Sequence, residues 1–315
     1  MTANLTNPIF QEELKAREWL EDNRWPDGPV CPHCGADKGQ VKRLEGKASR
    51  PGLWQCNGCH GQFSVTVGTL YERSHIPLHK WLLATHLMTS SKKGISAHQL
   101  HRMLGITYKS AWFMAHRIRE AMKDTSPTPM GSGGGTVEAD ETYLGGRKKG
   151  LNASGRQHGM ADKMKVVGLV ERGGKARTFR VDAVNNKTIH SILLQNVDRG
   201  SALMTDEANH YVGIGKQFAS HGHVEHNAKQ YVNGNAHTNT IEGYFSIFKR
   251  GMKGVYQHCG EQHLHRYLAE FDFRYNNRDA VGVNDAMRAE KALKGIAGKR
   301  LTYRRIGARR EGAPN

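Results

Sequence analysis

The chain has 315 residues, enough for about two domains at the usual ~100–200 residues each. Lys and Arg outnumber Asp and Glu by 46 to 29, and the formal net charge of +17 favours a polyanionic partner, a nucleic acid before an acidic membrane surface. No apolar run approaches the ~20 residues of a membrane span and no signal peptide precedes Asn23, which argues against a membrane-embedded or exported protein and makes a cytoplasmic one the expectation.

Pro8 to Leu20 reads as a short amphipathic helix closed by the turn Asn23 to Gly28. Two C-x2-C knuckles follow, Cys31-Pro-His-Cys34 and Cys56-Asn-Gly-Cys59, with 21 residues between them. Four thiolates at this spacing close a tetrahedral zinc site, whereas disulfides or redox pairs are disfavoured in a cytoplasmic chain without a thioredoxin-like unit. His33 and His60 flank the knuckles as bystanders, because four sulfurs complete the shell. Gln62 to Thr69 alternates like a ribbon strand, so residues 1–70 are expected to form a helix and a zinc ribbon.

Residues 75–124 have helical periodicity. Leu78 to Met88, Ser96 to Met103 and Thr107 to Met122, with a tight turn at Leu104-Gly105-Ile106, outline a helix-turn-helix. On the third helix Tyr108, Ala111, Trp112, Ala115, Ile118 and Met122 line the expected packed face. Lys109, His116, Arg117, Arg119 and Lys123 line the other, which suits a major groove or phosphates, although a plain helical hairpin carries the same stripe. Residues 125–135 have the composition of a linker.

Thr136 to Tyr143 alternates as a strand, with Val137 and Ala139 on one face and Glu138 and Asp140 on the other. A basic, glycine-rich loop from Gly145 to His158 is suited to phosphates. Strands Lys165 to Glu171 and Arg177 to Val181 form a hairpin across Arg172–Lys175, and a helix from Lys187 to Val197 leads to Ala202–Asp206, an apolar strand ending in a carboxylate. From His237 to Lys253, apolar Ile241, Tyr244, Phe245 and Phe248 recur at helical spacing, with Thr240 placed to cap and Gly251 to stop the helix. Glu242 and Lys249 lie two turns apart on its polar edge. This order predicts an α/β domain of the ribonuclease H type over residues 136–280, in which an acid of the first strand, an acid ending the fourth and an acid on a later helix converge. Asp140, Asp206 and Glu242 fit those places, and Mg²⁺ or Mn²⁺ takes such oxygen ligands. Cys259 reads as an unpaired thiol, His263 and His265 as helix residues rather than a second metal site, and residues 281–315 as a basic tail.

Four stretches carry a family resemblance: Val137 to Gly146, Thr205-Asp206, His237 to Arg250, and Phe271-Asp-Phe-Arg-Tyr-Asn-Asn-Arg278. Together with the ribbon around Trp54-Gln-Cys-Asn-Gly-Cys59, they resemble IS1595-family insertion-sequence transposases with an ISXO2-like DDE domain. The resemblance implies a metal-dependent DNA transposase that cleaves element ends and transfers the 3′-hydroxyl strands to target DNA. It assigns Asp140, Asp206 and Glu242 as catalytic metal ligands; the 35 residues between the last two match the DDE spacing. Lys249 matches the family's trailing basic residue, and Arg250 joins it as a phosphate contact, with Arg117 and Arg119 as DNA contacts in the helical region. Glu138 and Glu141 remain alternatives to Asp140, and His237 and Asn239 to Glu242. Joining two ends to one target implies at least a dimer on DNA. A metal-dependent nuclease without strand transfer, and a DNA-binding regulator with an idle catalytic domain, are the competing readings.

Overall fold

The computed structural model describes residues 5–46, 49–125, 127–145, 163–206, 210–224 and 237–302. They fall into two units: residues 1–90, 96–122 and 285–315 in one, 91–95 and 123–284 in the other.

In the first unit the opening helix α1 runs Glu13–Arg24, because Pro8–Phe10 forms a separate 3-10 turn in which the Asn7 carboxamide accepts from the Ile9 N–H at 3.1 Å. Strands β1 (Val41–Arg43), β2 (Trp54–Cys56) and β3 (Gln62–Phe63) make a small antiparallel sheet. The strand expected to reach Thr69 ends at Phe63. Beyond it the Val65 and Val67 carbonyls accept from the Arg24 guanidinium, and Val67 N–H closes a turn on Ser64 O at 3.0 Å, so these groups are withdrawn from any ladder.

Helices α2 (Leu78–Ser90), α3 (Ala97–Leu104) and α4 (Tyr108–Ala121) match the expected helical region. Each start has a partner for its orphan N–H groups. Glu13 Oε2 accepts from Leu78 N at 2.5 Å, Ser96 Oγ from Gln99 N at 3.1 Å, and Thr107 Oγ1 from Ser110 N at 3.2 Å. Gly105, at φ 58°, supplies the left-handed residue that ends α3.

The packed face of α4 differs from the sequence expectation. Tyr108 is 44% exposed, whereas His116 and Arg119 are buried at 0% and 2%. Helix α4 meets α2 and α3 and also a C-terminal helix, residues 285–294, so burial wraps round more than one stripe. The guanidinium of Arg117 lies 4.7 Å from the Phe113 ring and donates to Glu72 O at 3.2 Å and Leu301 O at 3.3 Å. Arg119 is thus buried within the unit rather than on a free face, and Arg117 is half-buried and tied to carbonyl groups of the same unit.

The second unit begins before the expected linker ends. Met130 is buried and pairs with Val197, and Gly131 N donates to Glu171 Oε1 at 3.2 Å. A Cβ at Gly131 would lie 2.5 Å from Ser201 Cβ, so glycine there serves a close approach rather than free movement. Strands β4 (Thr136–Leu144), β5 (Met164–Glu171) and β6 (Ala176–Val181) form an antiparallel meander. Helix α5 (Asn186–Asn196) returns the chain to β7 (Ala202–Asp206), which lies parallel to β4; after the short α6 (Val212–Gly215), β8 (Ser220–Val224) lies parallel to β7. The five-stranded order is β6-β5-β4-β7-β8. Strand β8 was not expected: Ser-His-Gly-His-Val lacks an apolar alternation, and its pairing comes from the backbone.

Helix α7 (Asn239–Gly251) places Ile241, Tyr244, Phe245 and Phe248 on one sheet face, with α8 (Leu264–Asn276) beside it. Ile189 and Leu193 of α5 and Tyr211 cover the other face. Gly251 does not stop α7, which continues into a π-type turn at Met252–Tyr256. A Cβ at Gly251 would lie 2.4 Å from Phe271 Cζ, so that glycine permits packing on α8.

Residues 285–302 are not a tail. Helix α9 (Asp285–Lys294) buries Ala289, Ala292 and Leu293, followed by Ile296, in the first unit, and Lys299 Nζ donates to Glu120 O at 3.0 Å. The tail arginines Arg304, Arg305, Arg309 and Arg310, and the loop from 146 to 158, lie outside the described residues. Among those described, no helix is long and apolar enough to cross a membrane.

Candidate active site and zinc centre

Strands β4 and β7 are parallel with Ala139 opposite Thr205, so one residue further along each strand Asp140 and Asp206 stand side by side where the pairing ends. Glu141 joins them: one carboxylate oxygen from each of Asp140, Glu141 and Asp206 lies within 4.8 Å of the others. Adjacent strand residues ordinarily point to opposite faces. Glu141 reaches the cluster on a longer side chain, held by the Tyr211 hydroxyl, which donates to its Oε1 at 2.9 Å. The sequence offered Glu141 only as an alternative to Asp140, because no periodicity distinguishes it from a solvated neighbour.

Burial and the adjacent Asp206 charge push Asp140 up to about 7, with smaller contributions from Glu141 and Glu242. Burial, then Asp206, likewise pushes Glu141 up to about 7, against the lowering effect of the Tyr211 hydroxyl. A set of oxygen donors that repel one another suits a hard divalent cation, which removes the repulsion. The raised values set the sign of the pH dependence. Below about 7 the folded chain holds protons that a cation must displace, so Mn²⁺ or Mg²⁺ affinity is expected to fall about tenfold per proton for each pH unit below that point. In the metal-free chain the same groups make stability fall as pH rises from about 4 to about 7. Metal titrations at pH 6 and 8 test this; equal affinities would contradict it.

Glu242 occupies the exposed first turn of α7, where Thr238 Oγ1 donates to its Oε1 at 3.3 Å. Its charge acts on Asp140, yet it stands outside the cluster of three. His237 faces Glu138 instead, with Nδ1 3.3 Å from Oε1, and Asn239 is exposed. Lys249 and Arg250 are exposed further along α7.

Helix α7 starts on a carboxylate that sequence reasoning treated only as an alternative ligand. Glu138 is fully buried, and its Oε2 accepts from the N–H groups of Thr240 and Ile241 at 2.9 Å each. Its Oε1 accepts from Thr240 Oγ1 at 2.9 Å and Arg172 Nε at 2.7 Å, while Arg172 Nη2 donates to His237 O at 2.9 Å. The cap of α7 therefore comes from strand β4, two residues before Asp140, and joins the helix carrying Glu242 to the strand carrying the first acid. The sequence signal was a second acid on the face of Asp140, with an arginine in the adjacent hairpin. Glu138→Ala removes the carboxylate that accepts from Arg172 Nε, Thr240 Oγ1 and two N–H groups of the helix start, and is expected to cost about 3–5 kcal/mol. Urea unfolding should read this; a loss below 1 kcal/mol would refute the assignment.

Gly168 lies opposite Asp140 on β5. A Cβ there would lie 2.7 Å from Phe245 Cζ and 3.1 Å from Ile241 Cδ1, so glycine lets α7 settle on the sheet beside the acids.

In the first unit the four knuckle cysteines converge. Cys31 and Cys59 sulfurs are 3.7 Å apart and those of Cys34 and Cys56 3.6 Å, with all four within 4.8 Å of one another. A tetrahedron of sulfurs about 2.3 Å from a zinc ion has edges of about 3.8 Å, so the set fits structural Zn²⁺. Burial pushes the Cys31 thiol up, but the Cys34 and His33 N–H groups and the neighbouring thiols together hold it down at about 6, ready to ligate as thiolate. His33 and His60 are not part of the set, and His33 stands edge-on to Phe63 at 6.4 Å.

Residues 133–276 match the family described as ISXO2-like transposase domain, and residues 11–62 match that described as transposase zinc-ribbon domain. The first span contains Asp140, Glu141, Asp206 and Glu242; the second contains all four zinc-type cysteines. The chain is also similar to a protein in the transposable element ISH50 of Halobacterium salinarum, 28% identical over 282 residues that cover 84% of this chain and 91% of that protein.

Proposed function

We propose that the chain, whose residues 133–276 and 11–62 match the transposase and zinc-ribbon domains of the IS1595 family, is a DDE transposase that cleaves insertion-sequence ends and joins their 3′-hydroxyls to target DNA. The observation that carries the reading is the pairing of Asp140 and Asp206 at the end of the β4–β7 ladder, with the charge of Glu242 on α7 acting on Asp140. The strand order, three antiparallel followed by two parallel, supports a ribonuclease H-like domain.

Asp140 and Asp206 would hold Mg²⁺ or Mn²⁺, with Glu242 or Glu141 as the third carboxylate. Bound divalent cations would supply Lewis-acid activation of a water or 3′-hydroxyl and stabilise the leaving oxygen in an in-line attack on phosphorus. The Glu138–Arg172 pair holds the start of α7, and Tyr211 orients Glu141. Lys249 and Arg250, exposed on α7, would meet the phosphates of the bound strand. No side chain acts as nucleophile. The zinc ribbon braces the first unit, which grips the element ends. Two ends joined at one target require at least a dimer on DNA, and the work is in the cytoplasm where that DNA lies.

The test is Mg²⁺-dependent cleavage and joining of duplexes that carry the flanking inverted repeats. Joined product supports the transposase. Nicked product that never joins supports a nuclease, and sequence-specific binding without any cleavage supports a regulator.

A further inference from the structure

Glu13 and Arg17 stand one turn apart on α1, an acid and a base at a spacing that lets them pair on a helix surface. The structure builds them into the wall of a cavity of about 140 Å³ in the first unit, several times the ~30 Å³ that a water molecule occupies in the liquid. Arg50, Ser64, Thr66 and Ser74 line it from other segments of the chain, beside the Tyr71 and Trp81 rings, whose centroids are 4.5 Å apart.

This lining is rich in donors whose protons are unspent. Arg17 gives an Nη2 N–H to Glu13 Oε1 at 3.0 Å, while its Nε is buried and makes no hydrogen bond. Gly52 makes room for that side chain, since a Cβ there would collide with Arg17 Cδ. Arg50 is exposed and has no hydrogen bond or ion pair among the described residues. Ser74 Oγ accepts from Trp81 Nε1 at 3.0 Å and from Ile76 N at 3.1 Å, which fills its lone pairs and leaves its O–H to donate. Ser64 Oγ and Thr66 Oγ1 lie 3.0 Å apart, so one donates to the other and one of the two hydroxyl protons remains. The Glu13 carboxylate is already engaged: Oε1 takes Arg17, and Oε2 takes Leu78 N at 2.5 Å and His79 N at 3.3 Å.

We propose that this cavity is an oxyanion site that takes a phosphoryl group. The proposal goes beyond the transposase reading and does not depend on it. Guanidinium groups bind phosphate through charge-assisted hydrogen bonds, and here two of them outnumber the one carboxylate. Hydroxyls from separate loops add donors to those of α1 and the turn at Arg50, a set drawn from several segments that suits a tetrahedral acceptor better than a flat carboxylate. A free phosphate and a backbone phosphate of bound DNA offer the same chemistry, and the test separates the two sources.

The experiment titrates inorganic phosphate into the full-length, zinc-loaded protein by calorimetry, with no other divalent cation present. Wild type is expected to bind about one phosphate per chain. Arg50→Ala and Arg17→Lys should each weaken that binding at least about tenfold, as loss of a hydrogen bond to a charged group does. Lys294→Ala, which removes an exposed cation outside the cavity, should bind as wild type does. An unchanged melting temperature verifies the fold of each variant. Arg50→Ala deletes a side chain without partners, so it decides alone if Arg17→Lys fails to fold. A second arm adds duplex DNA at saturation. Displacement of the phosphate assigns the site to a backbone phosphate, and Arg50→Ala then lowers the salt slope of duplex binding by about one. Phosphate retained beside the duplex assigns the site to a free phosphate; either result upholds the site. Heat that never saturates, or equal affinity in wild type and Arg50→Ala, overturns the proposal and leaves only diffuse attraction to a basic surface. Displacement of phosphate by an equal concentration of acetate overturns it as well.

Discussion

Asp140→Ala and Asp206→Ala are each expected to lower Mg²⁺-dependent cleavage of element-end DNA by at least about a thousandfold, roughly 4 kcal/mol of transition-state stabilisation. Binding of the same duplex without metal should survive. The separation follows from the electrostatics: both groups sit among like charges, so removing one relieves repulsion in the metal-free fold and removes only the cation's oxygen ligand. Glu242→Ala and Glu141→Ala, assayed beside them, decide between the helix acid and the strand acid as third ligand. If Glu242→Ala keeps near-normal rates and Glu141→Ala does not, the third carboxylate comes from β4. Cleavage within tenfold of wild type by Asp206→Ala would remove the paired-acid site altogether.

Stripping zinc is expected to unfold the ribbon. The free energy of binding structural zinc is roughly 10–16 kcal/mol in small zinc domains and appears there as folding free energy. The ribbon here has little else: β1 and β2 have three residues each and β3 two. Its apolar centre is a small aromatic group in which Trp25 stands edge-on to Trp54 at 6.1 Å and to Phe63 at 5.9 Å. Chelation, or Cys56→Ser, should therefore release zinc, shift the tryptophan emission to the red and open residues 31–63 to protease. Re-added zinc should restore the wild type but not the variant. A zinc-free chain with unaltered near-ultraviolet circular dichroism would refute a structural role for the metal.

Much of this architecture was legible because it repeats locally. The knuckles of Cys31–Cys34 and Cys56–Cys59 needed only spacing, since four thiolates have one common chemistry. The three helices between Leu78 and Ala121 showed themselves through apolar period and through Ser96 and Thr107 as caps. Helix α9 was also legible, in Ala289, Ala292, Leu293 and Ile296 at helical spacing, but the basic residues around it suggested a tail. Asp140 and Asp206 could be named from their strands and from the family resemblance, and the parallel register then brought them together.

What lay beyond local pattern was decided by contacts between distant segments. Strand β8 has no apolar alternation and exists through its ladder with β7. The role of Glu138 depends on Arg172, 34 residues away, and on Thr240 and Ile241, more than 100 away. Arg119 looks solvated on a helical wheel and is buried because α4 has several neighbours, while Tyr108 looks like core and is exposed. Composition and periodicity specify which side chains seek burial and which elements form, since both depend on the nearest few residues. Which carboxylate caps a helix, which joins a metal cluster and which cation still faces solvent depend on desolvation and partners that exist only after those elements have packed.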